Sequence, residues 1–184
     1  MNHLNPDRTR LLEILRKDAF FKEKIILSSG KTSDFYIDAR RVTLSAEGGY
    51  LSAKIILDIL KDEKIDAIGG PTLGADPLLG AIGVLSFQSG KSVNTFIIRK
   101  APKPYGKQQQ IEGPLLKPDS RVVLIDDVAT TGKSFVESIE VLNKMDIKPF
   151  KAVCIVDRKE GAAEILARHG CKLLSIFNLS DFSV

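Results

Sequence analysis

The sequence predicts an α/β fold, with a central, mostly parallel sheet flanked by helices and a small N-terminal appendage. Three observations carry that expectation. Apolar strand-like runs alternate with helical patterns from about residue 45 onward. The intervening helices have the length of βαβ crossovers, and turn residues follow the strands directly. A chain of 184 residues, 43% hydrophobic and 27% charged, is long enough for a full core without disulfide or metal staples. Residues 1–184 are therefore read as one domain, with about 1–44 as an N-terminal helix and appendage and about 45–184 as the core.

The elements follow in order. Leu11, Leu12, Ile14 and Leu15 give one apolar face of an N-terminal helix. The stretch Lys24 to Asp38 suggests two short strands joined by a Ser/Gly/Lys turn, a hairpin-like appendage. Ser45 caps a helix from Ala46 to Leu60 whose Leu51, Ile55, Ile56, Ile59 and Leu60 share a face. Ala67-Ile68 is a short strand ending in Gly69-Gly70-Pro71. Then come a helix from Pro77 to Phe87, a strand from Val93 to Ile98 and a basic loop, Arg99 to Lys107. The run Val122 to Ile125 reads as a buried strand ending at Asp126-Asp127, followed by a helix from Gly132 to about Met145. A strand from Phe150 to Val156, a helix from Glu160 to Arg168 and a strand from Lys172 to Ile176 complete the chain. In parallel sheets ligands bind beyond the carboxyl ends of the strands, so the turns at Gly70-Pro71, Arg99, Asp126-Asp127 and Asp157-Arg158 are expected to converge on one edge.

Composition narrows the function. A formal charge of +4, with one short basic segment broken by prolines and glycine, is not the basic stripe of a nucleic-acid binder. No apolar run approaches the roughly 20 residues that span a bilayer, and no basic-then-apolar leader opens the chain, so neither a membrane partner nor secretion is expected. Cys154 and Cys171 lack metal-ligand spacing, and two isolated thiols fit a reducing cytoplasm. His3 and His169 fall in no motif.

The most informative stretch is Arg121-Val-Val-Leu-Ile-Asp-Asp-Val-Ala-Thr-Thr-Gly-Lys-Ser134. It comes within one residue of a nucleoside-triphosphate loop, since Gly132-Lys133-Ser134 is present but Asp127 stands at the first glycine. Ala152 to Asp157 would then serve as a partner strand with a magnesium-binding acid. Charge rejects that reading, because two carboxylates at this place repel a triphosphate. The better reading uses the acids. Ala129 to Ser134, opening a helix, offers free N–H groups, hydroxyls and the positive end of the helix dipole to a monophosphate. Asp126 and Asp127 then stand where ribose hydroxyls or a divalent cation can reach them. Together these features suggest a sugar phosphate.

Val122 to Ser134 resembles the phosphoribosyl pyrophosphate (PRPP) loop of the type I phosphoribosyltransferases. Four further segments resemble the orotate-using branch of that family. Leu27 to Asp38 is similar to its N-terminal hood, and Gly70-Pro-Thr-Leu-Gly-Ala-Asp76 to its diphosphate turn. Arg99 to Gly113 is similar to its mobile catalytic loop, and Val156-Asp-Arg-Lys-Glu-Gly161 to its orotate turn. The resemblance runs over roughly residues 20 to 165, in the family's order. It departs at two places. Tyr105 stands where relatives often carry His, and Gly74 where some carry Lys, so a backbone N–H there supplies part of the contact without its charge.

The resemblance implies a pentosyl transfer from PRPP to orotate, giving orotidine 5′-phosphate and pyrophosphate in pyrimidine (UMP) biosynthesis. It assigns catalysis to Lys103, Asp126 and Asp127. PRPP falls to Arg99, Lys100, Lys103 and Tyr105, to the acids, and to Val128, Ala129, Thr130, Thr131, Gly132, Lys133 and Ser134. Leu73 and Gly74 form the diphosphate turn, while Thr130, Arg158, Tyr36 and Ile37 take orotate. Mg²⁺ is implied as cofactor, held mainly by substrate with Asp126 and Asp127 nearby rather than in a dedicated protein site. A cytoplasmic homodimer is implied too, its mobile loop shared across subunits. Two other readings stand beside this one: a non-catalytic ribosyl-phosphate sensor or regulator on the same fold, and a transferase for another base. The set Arg99, Lys100 and Lys103 argues against the sensor, because a sensor has no leaving group to stabilise.

Overall fold

The computed structural model describes residues 5–26, 32–102 and 110–182. Its helices and strands run, in chain order, α1 (Pro6–Asp18), β1 (Phe20–Phe21), β2 (Ile25–Ile26), β3 (Thr32–Ser33), β4 (Tyr36–Ile37), α2 (Arg40–Thr43), α3 (Ala46–Leu60), β5 (Ala67–Pro71), α4 (Asp76–Gln88), β6 (Asn94–Ile98), β7 (Ile111–Glu112), β8 (Val122–Ala129), α5 (Lys133–Asn143), β9 (Lys151–Asp157), α6 (Ala162–Arg168) and β10 (Lys172–Asn178), with a closing 3₁₀ turn at Leu179–Phe182. Six strands form one sheet in the order β10-β9-β8-β5-β6-β7. All neighbours are parallel except β7, which runs antiparallel to β6.

The two-residue period of a strand decides how this sheet is covered. Val122, Val123, Leu124 and Ile125 of β8 are all fully buried, yet they serve opposite layers. Val123 and Ile125 join Val153 and Ile155 in the core packed by α1, α3 and α4. Val122 and Leu124 join Ala152, Cys154, Phe135, Ile139 and Leu166 under α5 and α6. Each such side chain taken out of water contributes about 1.5–3 kcal/mol, which is why a continuous apolar run reads as a central parallel strand.

Helix α3 begins as its cap demands: Ser45 Oγ accepts from Gly48 N at 3.1 Å and donates to Val42 O at 2.8 Å. The appendage is two small antiparallel pairs, β1 with β4 and β2 with β3. Its expected turn, Leu27 to Lys31, lies outside the described residues. An aromatic chain ties the appendage to the end of the sheet. Phe35 stacks on Phe20 at 5.9 Å, Phe20 on Phe182 at 5.5 Å, and Phe182 meets Phe177 of β10 edge-on at 6.5 Å.

Four strands outrun the sequence expectation, β9 by one residue to Asp157 and β10 by two to Asn178, and the other two bear on the site. β5 continues through Gly70 to Pro71, and β8 continues through both acids to Ala129, so Asp126-Asp127 lies inside the strand rather than beyond it. The reason is pairing: β8 keeps its register with β9 as Asp126↔Cys154, Val128↔Val156 and Ala129↔Asp157. A ladder that continues overrides the low strand propensity of Asp.

Gly70 is where this core is least forgiving. A Cβ there would overlap the carbonyl oxygen of Ile125 and crowd the Ala75 side chain. Gly70→Ala is expected to push β5 off β8 and lower stability by about 1–3 kcal/mol, read as a lower urea midpoint. An unchanged midpoint would mean that the β5–β8 contact yields easily.

Candidate active site

The carboxyl ends of β5, β6, β8 and β9 open onto one cleft of about 870 Å³, walled on one side by β4. Thirteen of the residues singled out in the sequence line it: Tyr36, Ile37, Leu73, Gly74, Arg99, Lys100, Asp126, Asp127, Val128, Thr130, Lys133, Ser134 and Arg158. Ala129, Thr131 and Gly132 do not. Ala129 is buried as the last residue of β8, Thr131 is exposed, and Gly132 is buried against α6. Lys103 and Tyr105 lie outside the described residues. The cleft also takes in Arg40, which no motif covered, and Asp38, Thr72 and Gln110, which lay within the resembling segments but were given no role.

β8 stays extended through its acids, so their side chains leave the strand on opposite faces, yet the Oδ1 atoms of both reach the turn at Gly74. Asp126, on the α5 side, accepts from Ser134 Oγ at 2.9 Å through Oδ2 and from Asp127 N at 2.9 Å through Oδ1. Asp127, on the other side, accepts from Val128 N at 2.8 Å and faces the charge of Arg40. Asp126 is only 7% exposed. Burial, and then the neighbouring Asp127 charge, push its pKa well above the usual carboxylate range. Burial raises Asp127 too, opposed by its hydrogen bond with Asp126, the Val128 N–H and Arg40. Arg40 itself is held charged by Asp38, at 3.0 Å, and by the more distant Asp127.

Gly74 lies across this pair. A Cβ on it would run into Oδ1 of Asp126 and Oδ1 of Asp127, so the turn after β5 approaches the acids with bare backbone. Thr72 Oγ1 donates to Asp76 Oδ2 at 2.7 Å, which anchors that turn to the start of α4. Beyond β8, Gly132 turns the chain into α5 with φ 81°, a left-handed conformation suited to glycine. Side-chain space agrees, since a Cβ at 132 would press on Ile165 and Leu166 of α6. Residues 131 to 134 thus present the first N–H groups of a helix, which have no partner inside it. With the dipole, this end favours an anion.

The remaining predicted groups are held at the rim. Arg99 follows β6 and pairs with Glu112 of β7 at 3.4 Å. Arg99 N donates to Gln110 O at 2.8 Å, and Ile98 stands opposite Ile111, so the loop that carries the basic residues leaves and returns at adjacent points. Lys100 is exposed beside it. Arg158 follows β9, donates its backbone N–H to Ala129 O at 2.9 Å, and is buried under Phe35. Sequence reasoning missed Arg40, whose one signal was an Asp-Ala-Arg run directly after a strand. It also missed β7, which is too short for periodicity to show.

Residues 44–178 match the phosphoribosyl transferase domain family. The orotate phosphoribosyltransferase of Aquifex aeolicus is 39% identical over 155 residues, 84% of either chain. The orotate phosphoribosyltransferase of Mycobacterium tuberculosis in complex with inorganic phosphate is 30% identical with a TM-score of 0.83, covering 98% of this chain and 100% of that one. The same enzyme in complex with PRPP is 29% identical with a TM-score of 0.80, covering 97% and 100%.

The acid pair makes a prediction about stability. With the Asp126 pKa raised on folding, the folded chain binds more protons than the unfolded chain at pH values between the ordinary and the raised pKa. Stability therefore falls as pH rises through that window. Asp126→Asn is expected to raise the thermal midpoint near neutral pH, by about 1 kcal/mol or more in stability, and to flatten its pH dependence above about pH 4. A variant less stable than the wild type at neutral pH would show that the buried charge is fully compensated.

Proposed function

The chain belongs to the phosphoribosyl transferase domain family, among the orotate phosphoribosyltransferases, and on that premise we propose how its cleft serves the transfer. The enzyme moves the 5-phosphoribosyl group from PRPP to orotate, giving orotidine 5′-phosphate and pyrophosphate on the route to UMP. One observation carries the residue assignments. An acid pair of buried Asp126 and half-buried Asp127, an open helix N-terminus, a rim of cations and a buried arginine meet in a single cleft at the strand ends. A sensor has no use for the rim cations, and the relatives are enzymes.

Breaking the bond at the anomeric carbon leaves positive charge on the ribose and negative charge on the departing diphosphate. Fixed charges placed where those develop lower the barrier. The turn from Val128 to Ser134 takes the 5′-phosphate on its N–H groups and hydroxyls, with Lys133 adding charge. Asp126 and Asp127 take the ribose hydroxyls and face the cationic sugar. Leu73 and Gly74 bring backbone to the diphosphate, and Arg99 and Lys100 neutralise it. Lys103 and Tyr105 join them on sequence grounds. Arg158 takes the carboxylate of orotate, Thr130 touches the base, and Tyr36 and Ile37 wall its ring. Rim cations that close over the substrate exclude water during the transfer.

The donor chemistry fits Mg²⁺, which prefers carboxylate, hydroxyl and phosphate oxygens and binds through few protein groups. Asp126 and Asp127 would stand beside it while substrate supplies most ligands. When bound, it neutralises charge on the diphosphate. The raised pKa values of the two acids describe the chain without that cation.

Two features support a homodimer. Helix α4 carries no charge after Asp76, and its outward residues Gly80, Val84 and Phe87 continue the line of exposed Leu73 from the cleft, with Phe87 75% exposed. A helix that is apolar all round calls for cover on every side. A cytoplasmic site fits the two free, buried cysteines, Cys154 and Cys171. No helix among the described residues is long and apolar enough to cross a membrane.

The activity is checked by following orotate absorbance with PRPP. Loss of orotate is expected only with PRPP and Mg²⁺ both present, with one pyrophosphate released per orotate consumed. Turnover of a purine base with none of orotate would overturn the substrate assignment. Assembly is checked separately by sedimentation: wild type is expected as a dimer and Phe87→Glu as a folded monomer. A Phe87→Glu chain that stays dimeric would move the interface away from α4.

A further inference from the structure

We propose that Glu160, which no part of the transfer chemistry employs, is the positioning residue that aims Arg158 at the orotate carboxylate. The inference rests on the assignment of Arg158 to orotate, and it asks what holds that guanidinium still.

The turn after β9 divides its charges in a definite way. Asp157, the last residue of β9, is 2% exposed and faces back into its own turn. It accepts from Lys159 N at 2.8 Å and pairs with Lys159 Nζ at 2.9 Å. Lys159 adopts φ 59° and Gly161 φ 106°, so the chain bends sharply on either side of Glu160. The carboxylate nearest to Arg158 in sequence is thus committed to Lys159. Glu160 reaches back instead, and its Oε1 accepts from Arg158 Nε at 2.8 Å.

A guanidinium is flat, so its aim is set by its plane and by its rotation within that plane. Phe35 sets the plane, with its ring centroid 4.7 Å from Arg158 Cζ. Glu160 sets the rotation by taking the Nε edge, since a guanidinium held at one edge can turn only with that bond. Burial gives this pairing weight. The Arg158 side chain is 4% exposed and that of Glu160 21%, so this hydrogen bond is made in a largely desolvated place. Arg158 lines the cleft and Glu160 does not, so Glu160 acts through Arg158 rather than on substrate.

Orientation and charge make opposite demands here. As an acceptor, Glu160 fixes the fork. As an anion, it shares the cation with the incoming carboxylate. Glu160→Gln keeps an acceptor at the same reach and drops the charge, whereas Glu160→Ala drops both. Steady-state kinetics with each substrate varied in turn, alongside Arg158→Ala and thermal midpoints for every variant, tests the idea. Glu160→Ala is expected to raise the KM for orotate about tenfold, approaching Arg158→Ala, with the KM for PRPP within about twofold of wild type. Glu160→Gln is expected to restore the orotate KM to within about twofold.

Equal rises in both KM values, or an orotate KM unmoved in Glu160→Ala, would overturn the inference. So would a Gln variant as impaired as Ala. If Glu160 positions Arg158 but Arg158→Ala leaves orotate kinetics intact, the orotate assignment of Arg158 falls first and takes this inference with it.

Discussion

Two adjacent carboxylates, one buried and one half-buried, near the end of a central strand are the constraint to which the rest of the site answers. Desolvating them is unfavourable in the isolated chain, as their raised pKa values record. Their neighbours share out the compensation. On one side of β8, Ser134 at the start of α5 serves Asp126. On the other, Arg40 in α2 serves Asp127 and is itself held by Asp38. Backbone N–H groups of Asp127 and Val128 supply the remainder. One strand thereby links the start of α5, through Ser134, with α2, through Arg40.

Much of this was legible in the residues. The alternation of apolar runs with helical patterns gave the parallel sheet, and Ser45 marked the start of α3 where the structure has it. The expected convergence of the strand-end turns holds, since Pro71, Arg99, Asp126 and Arg158 line one cleft. What stayed hidden was set by partners distant in sequence. Nothing local says that β8 runs on to Ala129, because Asp has low strand propensity and the ladder to β9 makes the decision. Arg40 belongs to no motif, and its meaning comes from standing opposite Asp127, far along the chain. Phe35 reads as strand packing until the fold brings Arg158 beneath it.

Gly74 shows how a departure at one position is absorbed by geometry. Where the resemblance allows a lysine after β5, this chain brings backbone so close to the acids that a Cβ would meet both carboxylates. A long cation there would need the turn to move or the acids to swing aside. With Arg40 already facing Asp127, the acid pair has a cation from another element. The positive charge beside the acids is therefore supplied from α2, not from the turn after β5.

The distribution of charge across the sheet follows the polarity of the transfer. The acids sit on β8 near the centre, and the rim cations follow β6, two strands away with β5 between. Strands lie about 4.8 Å apart, so the anionic and cationic ends of the cleft are separated by about 10 Å. A phosphoribosyl diphosphate laid across the strand ends would put its sugar against the acids and its diphosphate toward the cations. The bare backbone of the β5 turn would lie beneath the bond that breaks. Charge separating along that bond would then run down the field already built into the strand order, with little reorganisation left for the protein to perform.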